Sequence, residues 1–169
     1  MINLAYDIIK DLATAYHSGE RKVDLQAYFI QLAKDEARFN LDMLDVITRS
    51  LVNERSDQLA KACSCLRCEL PGLFSAAGIL PSDIFAGEHQ FKHDIATFAV
   101  TDESEKISFQ DKLKTQTPLY LYYFTYRKID VLRALGSVDV NPSDLINLKV
   151  RCENIQIGLC QFLQIDEAK

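Results

Sequence analysis

The sequence predicts an all-α protein, a single-domain bundle of about five to seven helices. Apolar residues recur at three- and four-residue spacing through most of the chain, which is the period of one helix face. Start and stop signals bracket these stretches, as where Thr117 and Pro118 precede one of them and Gly136 follows it. No segment shows the sustained two-residue alternation between turn pairs that is typical of strands.

Length, composition and charge narrow the class of protein. The chain has 169 residues, and a domain of that size can bury roughly 70% of its unfolded surface, so we expect residues 1–169 to form one helical-bundle domain. Apolar residues make up 48% and charged residues 25%, as in ordinary globular proteins. The net charge of −5, without a cluster of Lys and Arg, argues against direct nucleic-acid binding.

The same composition predicts a location. Residues 2–16 include Asn3, Asp7, Lys10 and Asp11 and so lack the apolar core of a signal peptide. No run approaches the ~18 apolar residues of a membrane span. We therefore expect a cytoplasmic protein with no membrane association.

Three helices are predicted in the first half of the chain. The apolar spacing indicates a first helix over 2–16 and a third over 57–70, and the long second helix covers 22–52, which contains neither Gly nor Pro. Glu36 and Asn40 fall near the apolar stripe of the long helix, four residues apart. This polar pair is predicted to face a neighbouring helix or the edge of the core.

The second half begins with an irregular connection. Residues 71–90 are rich in Gly and Pro but also carry large apolar side chains, which predicts short helical turns folded over the bundle. A helix between Pro118 and Gly136 is apolar on nearly all sides in its first two turns. It is predicted to be central in the bundle or partly exposed for a partner. A last helix follows Asn141 and Pro142 and carries a seam formed by Leu145, Leu148, Cys152, Ile155, Leu159 and Phe162.

Five cysteines raise the question of a disulfide or a metal site. An odd number of cysteines without an export signal favours reduced thiols, and we expect at least three in the core. Cys63, Cys65 and Cys68 lie within six residues and could hold zinc with His89 or His93. On a continuous helix, however, Cys63 and Cys65 project about 200° apart, while Cys65 and Cys68 can meet. The weak metal candidates are therefore Cys65, Cys68, His89 and His93, and no metal is expected.

Signatures of known catalytic chemistry are missing from the sequence. No His follows a Glu by three residues, as di-iron bundles require. The glycine-rich phosphate motifs and Gly-x-Ser-x-Gly are also missing. We therefore expect no cofactor, and the sequence favours a protein that is not an enzyme without deciding the matter.

The aromatic run at 119–126 is the most suggestive feature. Tyrosine and arginine are enriched in interface hot spots, because they bury large areas while a polar end stays satisfied. The candidate partner-binding residues are Tyr120, Tyr122, Tyr123, Tyr126 and Arg127. Two other uses remain open: the rings could line the inside of the bundle, or they could floor a ligand pocket between helices.

These observations predict a non-catalytic interaction or accessory subunit that docks on a larger cytosolic protein, with a partner protein or a second copy of the chain. The first alternative is a small-molecule-binding or enzymatic bundle whose polar site combines Glu36, Asn40, Arg133 and Glu153. The second is a zinc or redox sensor that uses the Cys63, Cys65 and Cys68 cluster.

Overall fold

The computed structural model describes residues 10, 11, 14, 17, 18, 22–52, 56–87, 110–135 and 145–164. Six helices are defined in these residues, and no strand occurs among them, which confirms the predicted all-α bundle. The helices are α1 (Lys22–Val52), α2 (Ser56–Cys65), α3 (Leu70–Ala77), α4 (Pro81–Ile84), α5 (Pro118–Leu135) and α6 (Leu145–Phe162). None of them has the length and the apolar composition of a membrane-spanning segment.

Four of the helices form a closed ring. Helix α1 packs against α2 and α6, and α5 packs against the same two helices from the other side. The predicted seam of α6 lies inside this ring, where Leu148, Cys152, Ile155, Leu159 and Phe162 are buried. The side chain of Leu145 and most of the predicted first helix lie outside the described residues, although residues 10, 11 and 14 are helical.

The long helix α1 runs over the predicted span. With neither Gly nor Pro to interrupt it, its backbone hydrogen bonds continue for 31 residues. Its apolar stripe is buried through Leu25, Phe29, Ala33, Leu44 and Ile47, because these positions share one side of the helix. The polar pair Glu36 and Asn40 is buried on the same helix.

The connection after α2 folds over the bundle, as predicted. Phe74 of α3 stacks on Phe29 with ring centroids 4.6 Å apart, and Phe85 stacks on Tyr122 at 5.2 Å. The amide of Gln26 donates a hydrogen bond of 2.9 Å to the carbonyl of Ile84. These contacts hold the segment on the bundle, while residues 88–90 of the predicted connection lie outside the described residues.

The predicted third helix over 57–70 is wrong at its carboxyl end. Helix α2 ends at Cys65, residues 66–69 are not helical, and α3 begins at Leu70. Pro71 enforces the break, since a proline ring clashes with the carbonyl four residues earlier in a helix. The apolar period nevertheless continues across the break, because Leu66 and Leu70 are both buried.

Candidate functional site

The break at 66–69 is held by the polar pair of α1. The side-chain amide of Asn40 forms hydrogen bonds with both backbone polar groups of Arg67. Its oxygen accepts from the Arg67 N–H at 2.7 Å, and its nitrogen donates to the Arg67 carbonyl at 2.9 Å. The Glu36 carboxylate accepts from the N–H groups of Glu69 and Leu70 at 2.8 and 3.2 Å. A carboxylate at this place satisfies the orphan N–H groups that begin α3.

Helix α5 faces this break. Thr117 caps the helix, as its hydroxyl accepts a hydrogen bond of 3.3 Å from the N–H of Tyr120, and Pro118 follows at the first helical position. Tyr122 and Tyr126 are one turn apart and are nearly covered, with 3% and 4% of their surface exposed. These two tyrosines of α5 therefore belong to the core of the bundle.

A cleft of about 480 Å³ opens between α5 and the break. It combines aromatic, thiol and charged groups from the two segments. Its lining consists of Cys68, Pro71, Tyr122, Tyr123, Tyr126, Arg127 and Asp130. The bonds from α1 hold Arg67, Glu69 and Leu70, the chain neighbours of Cys68 and Pro71, so one wall of the cleft is supported by residues that do not line it.

The three tyrosine rings of the cleft pack on one another. Tyr123 meets Tyr122 edge-on with centroids 5.1 Å apart, and Tyr126 lies 5.0 Å from Tyr122 at a tilted angle. Tyr122 also meets Phe74 edge-on at 5.5 Å. Tyr123 alone of the three is half-buried, so the cleft has a fixed aromatic floor and one more exposed ring.

Buried charge lies behind this floor. Burial raises the pKa of the Glu36 carboxyl, and the two backbone N–H groups that it accepts partly offset this rise. Burial also raises the pKa of Tyr126 well above its ordinary value, and the charge of Glu36 and a hydrogen bond to it add to the rise. Tyr126 therefore keeps its proton at neutral pH.

The thiol of Cys68 is also kept protonated. Its sulfur lies 3.8 Å from the carbonyl oxygen of Tyr126, to which it donates. Burial raises its pKa, the charges of Asp130 and Glu36 raise it further, and Arg133 partly opposes them. Since the thiolate is the reactive form, this half-buried cysteine is a poor nucleophile at neutral pH.

The structure brings together four of the five candidate partner-binding residues. Tyr122, Tyr123, Tyr126 and Arg127 all line the cleft. Tyr120 does not, and its ring stacks beside Phe124 at 6.2 Å instead.

Two of the four residues of the predicted polar site meet at the break, and none of the four lines the cleft. Glu36 and Asn40 meet at the break in the helix, and Arg133 acts on Cys68 next to it. Glu153 is on α6, where its carboxylate lies 4.0 Å from the Lys149 ammonium. The pair on α1 supports the backbone of the cleft wall.

Sequence reasoning missed Pro71 and Asp130 and considered Cys68 only as a metal ligand. Asp130 could have been found, because it lies one turn beyond Tyr126 and two beyond Tyr122 on the same face of the helix. Nothing in the local sequence places Cys68 and Pro71 beside that face, since the fold brings them there from a different helix pair.

The cysteines divide differently from the expected pattern. Cys63 and Cys152 are buried, Cys68 is half-buried, and Cys65 and Cys160 are exposed, so two cysteines rather than three lie in the core. Among the described residues no group of three His, Cys, Asp or Glu side chains could hold a metal ion. His89 and His93 lie outside those residues.

Comparison of the chain with protein-family models, with curated proteins and with solved structures found no match. A functional conclusion therefore depends on the chemistry of the cleft.

Proposed function

We propose that this protein is a non-catalytic binding module, an accessory subunit that docks a cytoplasmic partner protein through the cleft of α5. The supporting observation is the cleft itself, in which three tyrosine rings lie side by side next to a charged rim. Tyrosine provides a large and rigid contact area with few rotatable bonds, which is why it is enriched in interface hot spots. A volume of about 480 Å³ suits an anchoring side chain of a partner.

The cleft is also preorganised for binding. Glu36 and Asn40 hold its wall from α1 through four hydrogen bonds to the backbone. A partner would therefore meet a formed site and would lose little free energy to ordering it.

The ionisable groups of the cleft favour binding over catalysis. The pKa values of Tyr122, Tyr126 and Cys68 are all raised, chiefly by burial, so each stays protonated and neutral at pH 7. General bases and nucleophiles need pKa values poised near or below the working pH. These groups are instead suited to hydrogen bonding and packing.

A small molecule is the competing occupant. Pockets for small ligands have volumes of roughly 300–1,000 Å³, and the cleft falls within that range. The experiment below is designed to separate the two occupants.

The chain offers a matched pair of positions for the test. Tyr123 and Tyr28 are both half-buried, and each meets a more buried aromatic ring edge-on, Tyr122 at 5.1 Å and Phe29 at 5.9 Å. A photo-cross-linking phenylalanine analogue is introduced at each position in the native cell, and the adducts are identified by mass spectrometry. We expect a defined protein adduct from position 123 and none of that mass from position 28.

A second arm uses Tyr123→Ala and Tyr28→Ala in the tagged protein. Loss of the same partner from Tyr123→Ala alone, with both variants folded by circular dichroism, would support the proposal. An adduct that is a second copy of the chain would make the module a homo-oligomer. If neither position forms an adduct, and small molecules raise the melting temperature of the wild type but not of Tyr123→Ala, the protein-docking proposal is wrong.

A further inference from the structure

Two opposite charges line the cleft without pairing. Asp130 and Arg127 are three residues apart on α5, and both are exposed. Residues at this spacing are neighbours on a helix surface and often form an ion pair. Among the described residues neither of them forms an ion pair.

Two carboxylates act on the thiol that lines the cleft. The charges of Asp130 and Glu36 raise the pKa of Cys68, and the charge of Arg133 and a hydrogen bond with it lower that pKa. Asp130 acts on Cys68, whereas Arg127, one turn earlier on α5, does not. Both charges lie at the exposed rim of the cleft, and the carboxylate is the one whose effect reaches the thiol of Cys68.

The aromatic rings of the cleft also favour a cation. The face of an aromatic ring carries partial negative charge, and tyrosine faces attract cations within about 6 Å of the ring centroid. Since Tyr122 and Tyr126 are nearly covered, the half-buried ring of Tyr123 is the one that a flat cation can reach, and the carboxylate of Asp130 lines the same cleft. An anion would instead need Arg127 to reach past Asp130.

We propose that the cleft binds an arginine side chain of the partner protein, with its guanidinium group stacked on the ring of Tyr123 and paired with Asp130. This proposal names the occupant of the docking site and so rests on the proposed function. Arginine suits the cleft better than lysine, because a planar guanidinium stacks on rings and pairs with a carboxylate at the same time. Lysine carries a compact and strongly hydrated charge that loses more on entering an aromatic cleft.

The test uses three acetylated and amidated pentapeptides, Gly-Ala-X-Ala-Gly, in which X is Arg, Leu or Glu. Each is titrated into the full chain carrying isotope-labelled tyrosine, at low salt, and the tyrosine resonances give the affinity. We expect the Arg peptide to shift the resonances of Tyr122, Tyr123 and Tyr126 and to bind at least fivefold more tightly than the Leu peptide. The Glu peptide should be the weakest of the three.

Two rim variants give opposite expected results. Asp130→Asn should weaken binding of the Arg peptide about three- to tenfold, since it removes a charge-assisted hydrogen bond. Arg127→Gln should leave the affinity unchanged or raise it, because it removes a charge of the same sign as the ligand. Asp42→Asn, a substitution of an exposed aspartate on α1, is the matched control and should change nothing.

Other outcomes overturn the proposal. Preferred binding of the Glu peptide, lost in Arg127→Gln, would show that the occupant is anionic, and equal binding of the Leu and Arg peptides would show an apolar anchor. If either result comes with a partner that Tyr123→Ala releases, only the arginine proposal fails. If the Arg peptide binds through Asp130 but position 123 captures no protein, the arginine site stands and the docking function fails.

Discussion

Two buried asparagines show how the same side chain can stabilise or destabilise this bundle. Asn40 and Asn154 both have 0% of their surface exposed. Asn40 satisfies a peptide group at the break with two hydrogen bonds, whereas neither amide atom of Asn154 has a partner among the described residues. A buried polar group without a partner loses its hydration and gains nothing in return.

Replacing each asparagine by leucine, which has the same number and branching of side-chain heavy atoms, should therefore change stability in opposite directions. We expect Asn154→Leu to raise the free energy of unfolding by about 1–2 kcal/mol, because it removes an unsatisfied amide. Asn40→Leu should lower it by about 2–3 kcal/mol, because it leaves the N–H and carbonyl of Arg67 without partners. Urea denaturation measures both values, and a loss of stability in Asn154→Leu would contradict the first.

Lys128 gives the bundle a pH dependence above neutrality. This lysine is half-buried on α5, and burial, Arg151 and Arg127 lower its pKa to about 8. The unfolded chain, with an ordinary lysine pKa of 10.5, then holds more protons than the folded chain between pH 8 and 10.5. Folding stability attributable to this group therefore rises with pH across that window.

Lys128→Met, which cannot titrate, isolates this effect. We expect the melting temperature of the wild type to rise relative to that of the variant between pH 7 and pH 9.5. The comparison is a difference between two proteins, so other titrating groups cancel in it. A difference that stays constant with pH, or changes in the opposite direction, would show that the pKa of Lys128 is not lowered in the folded state.

At the scale of elements, the close approach of α5 and α6 depends on Gly158. A Cβ atom added at this position would lie 2.5 Å from the Cγ2 atom of Thr125. Thr125 is completely buried, and its hydroxyl donates a hydrogen bond of 2.6 Å to the carbonyl of Leu121. The methyl group is therefore held in place, and an alanine at position 158 would force the helices apart.

Gly158→Ala should lower the free energy of unfolding by about 1–3 kcal/mol through overpacking. In an exposed helix the same change would raise stability by about 1 kcal/mol, so the sign distinguishes close packing from helix propensity. Thr125→Ser removes the obstructing methyl group and keeps the hydroxyl. We expect the double variant to recover most of the loss, and an additive double-mutant cycle would refute the proposed contact.

The elements also show what the sequence could predict. The long helix α1 was predictable from end to end, since 31 residues without Gly or Pro share one apolar period. The break between α2 and α3 was not, because Leu66 and Leu70 continue the period across it. The break is held by hydrogen bonds from Glu36 and Asn40, about thirty residues earlier in the chain. The local pattern of apolar residues does not predict hydrogen bonds over such a distance.

The candidate site divides in the same way. The tyrosine face of α5 was predictable from the i, i+4 spacing of Tyr122 and Tyr126. Thr117 and Pro118 predicted that this segment is a helix and where it begins. The opposite wall of the cleft was not predictable, because it depends on where the break brings Cys68. Of the predicted polar cluster, Glu36 and Asn40 meet at the break, whereas Glu153 lies on α6 beside Lys149.

At the scale of the whole molecule, the reactivity of the buried cysteines can show whether the helices unfold as one unit. Cys63 is on α2 and Cys152 on α6, two helices on different sides of the ring, and their exposed fractions are 1% and 0%. Burial raises the pKa of Cys63 to about 11, and burial together with the nearby Cys63 raises that of Cys152 to about 12. Neither thiol should react while the bundle stays closed, whereas the exposed Cys65 and Cys160 should react at once.

If α1, α2, α5 and α6 unfold as one unit, both buried thiols must become accessible through the same opening. We expect Cys63 and Cys152 to be alkylated with equal opening free energies, each matching the value from urea denaturation. In Gly158→Ala the two labelling rates should rise by the same factor, although the substitution lies on the helix of only one of them. Mass spectrometry of the native protein during alkylation measures both sites in one sample. Faster labelling of Cys63 alone would mean that α2 detaches from the ring by itself. The break that forms the wall of the cleft would then move with α2, and the docking site would open before the core.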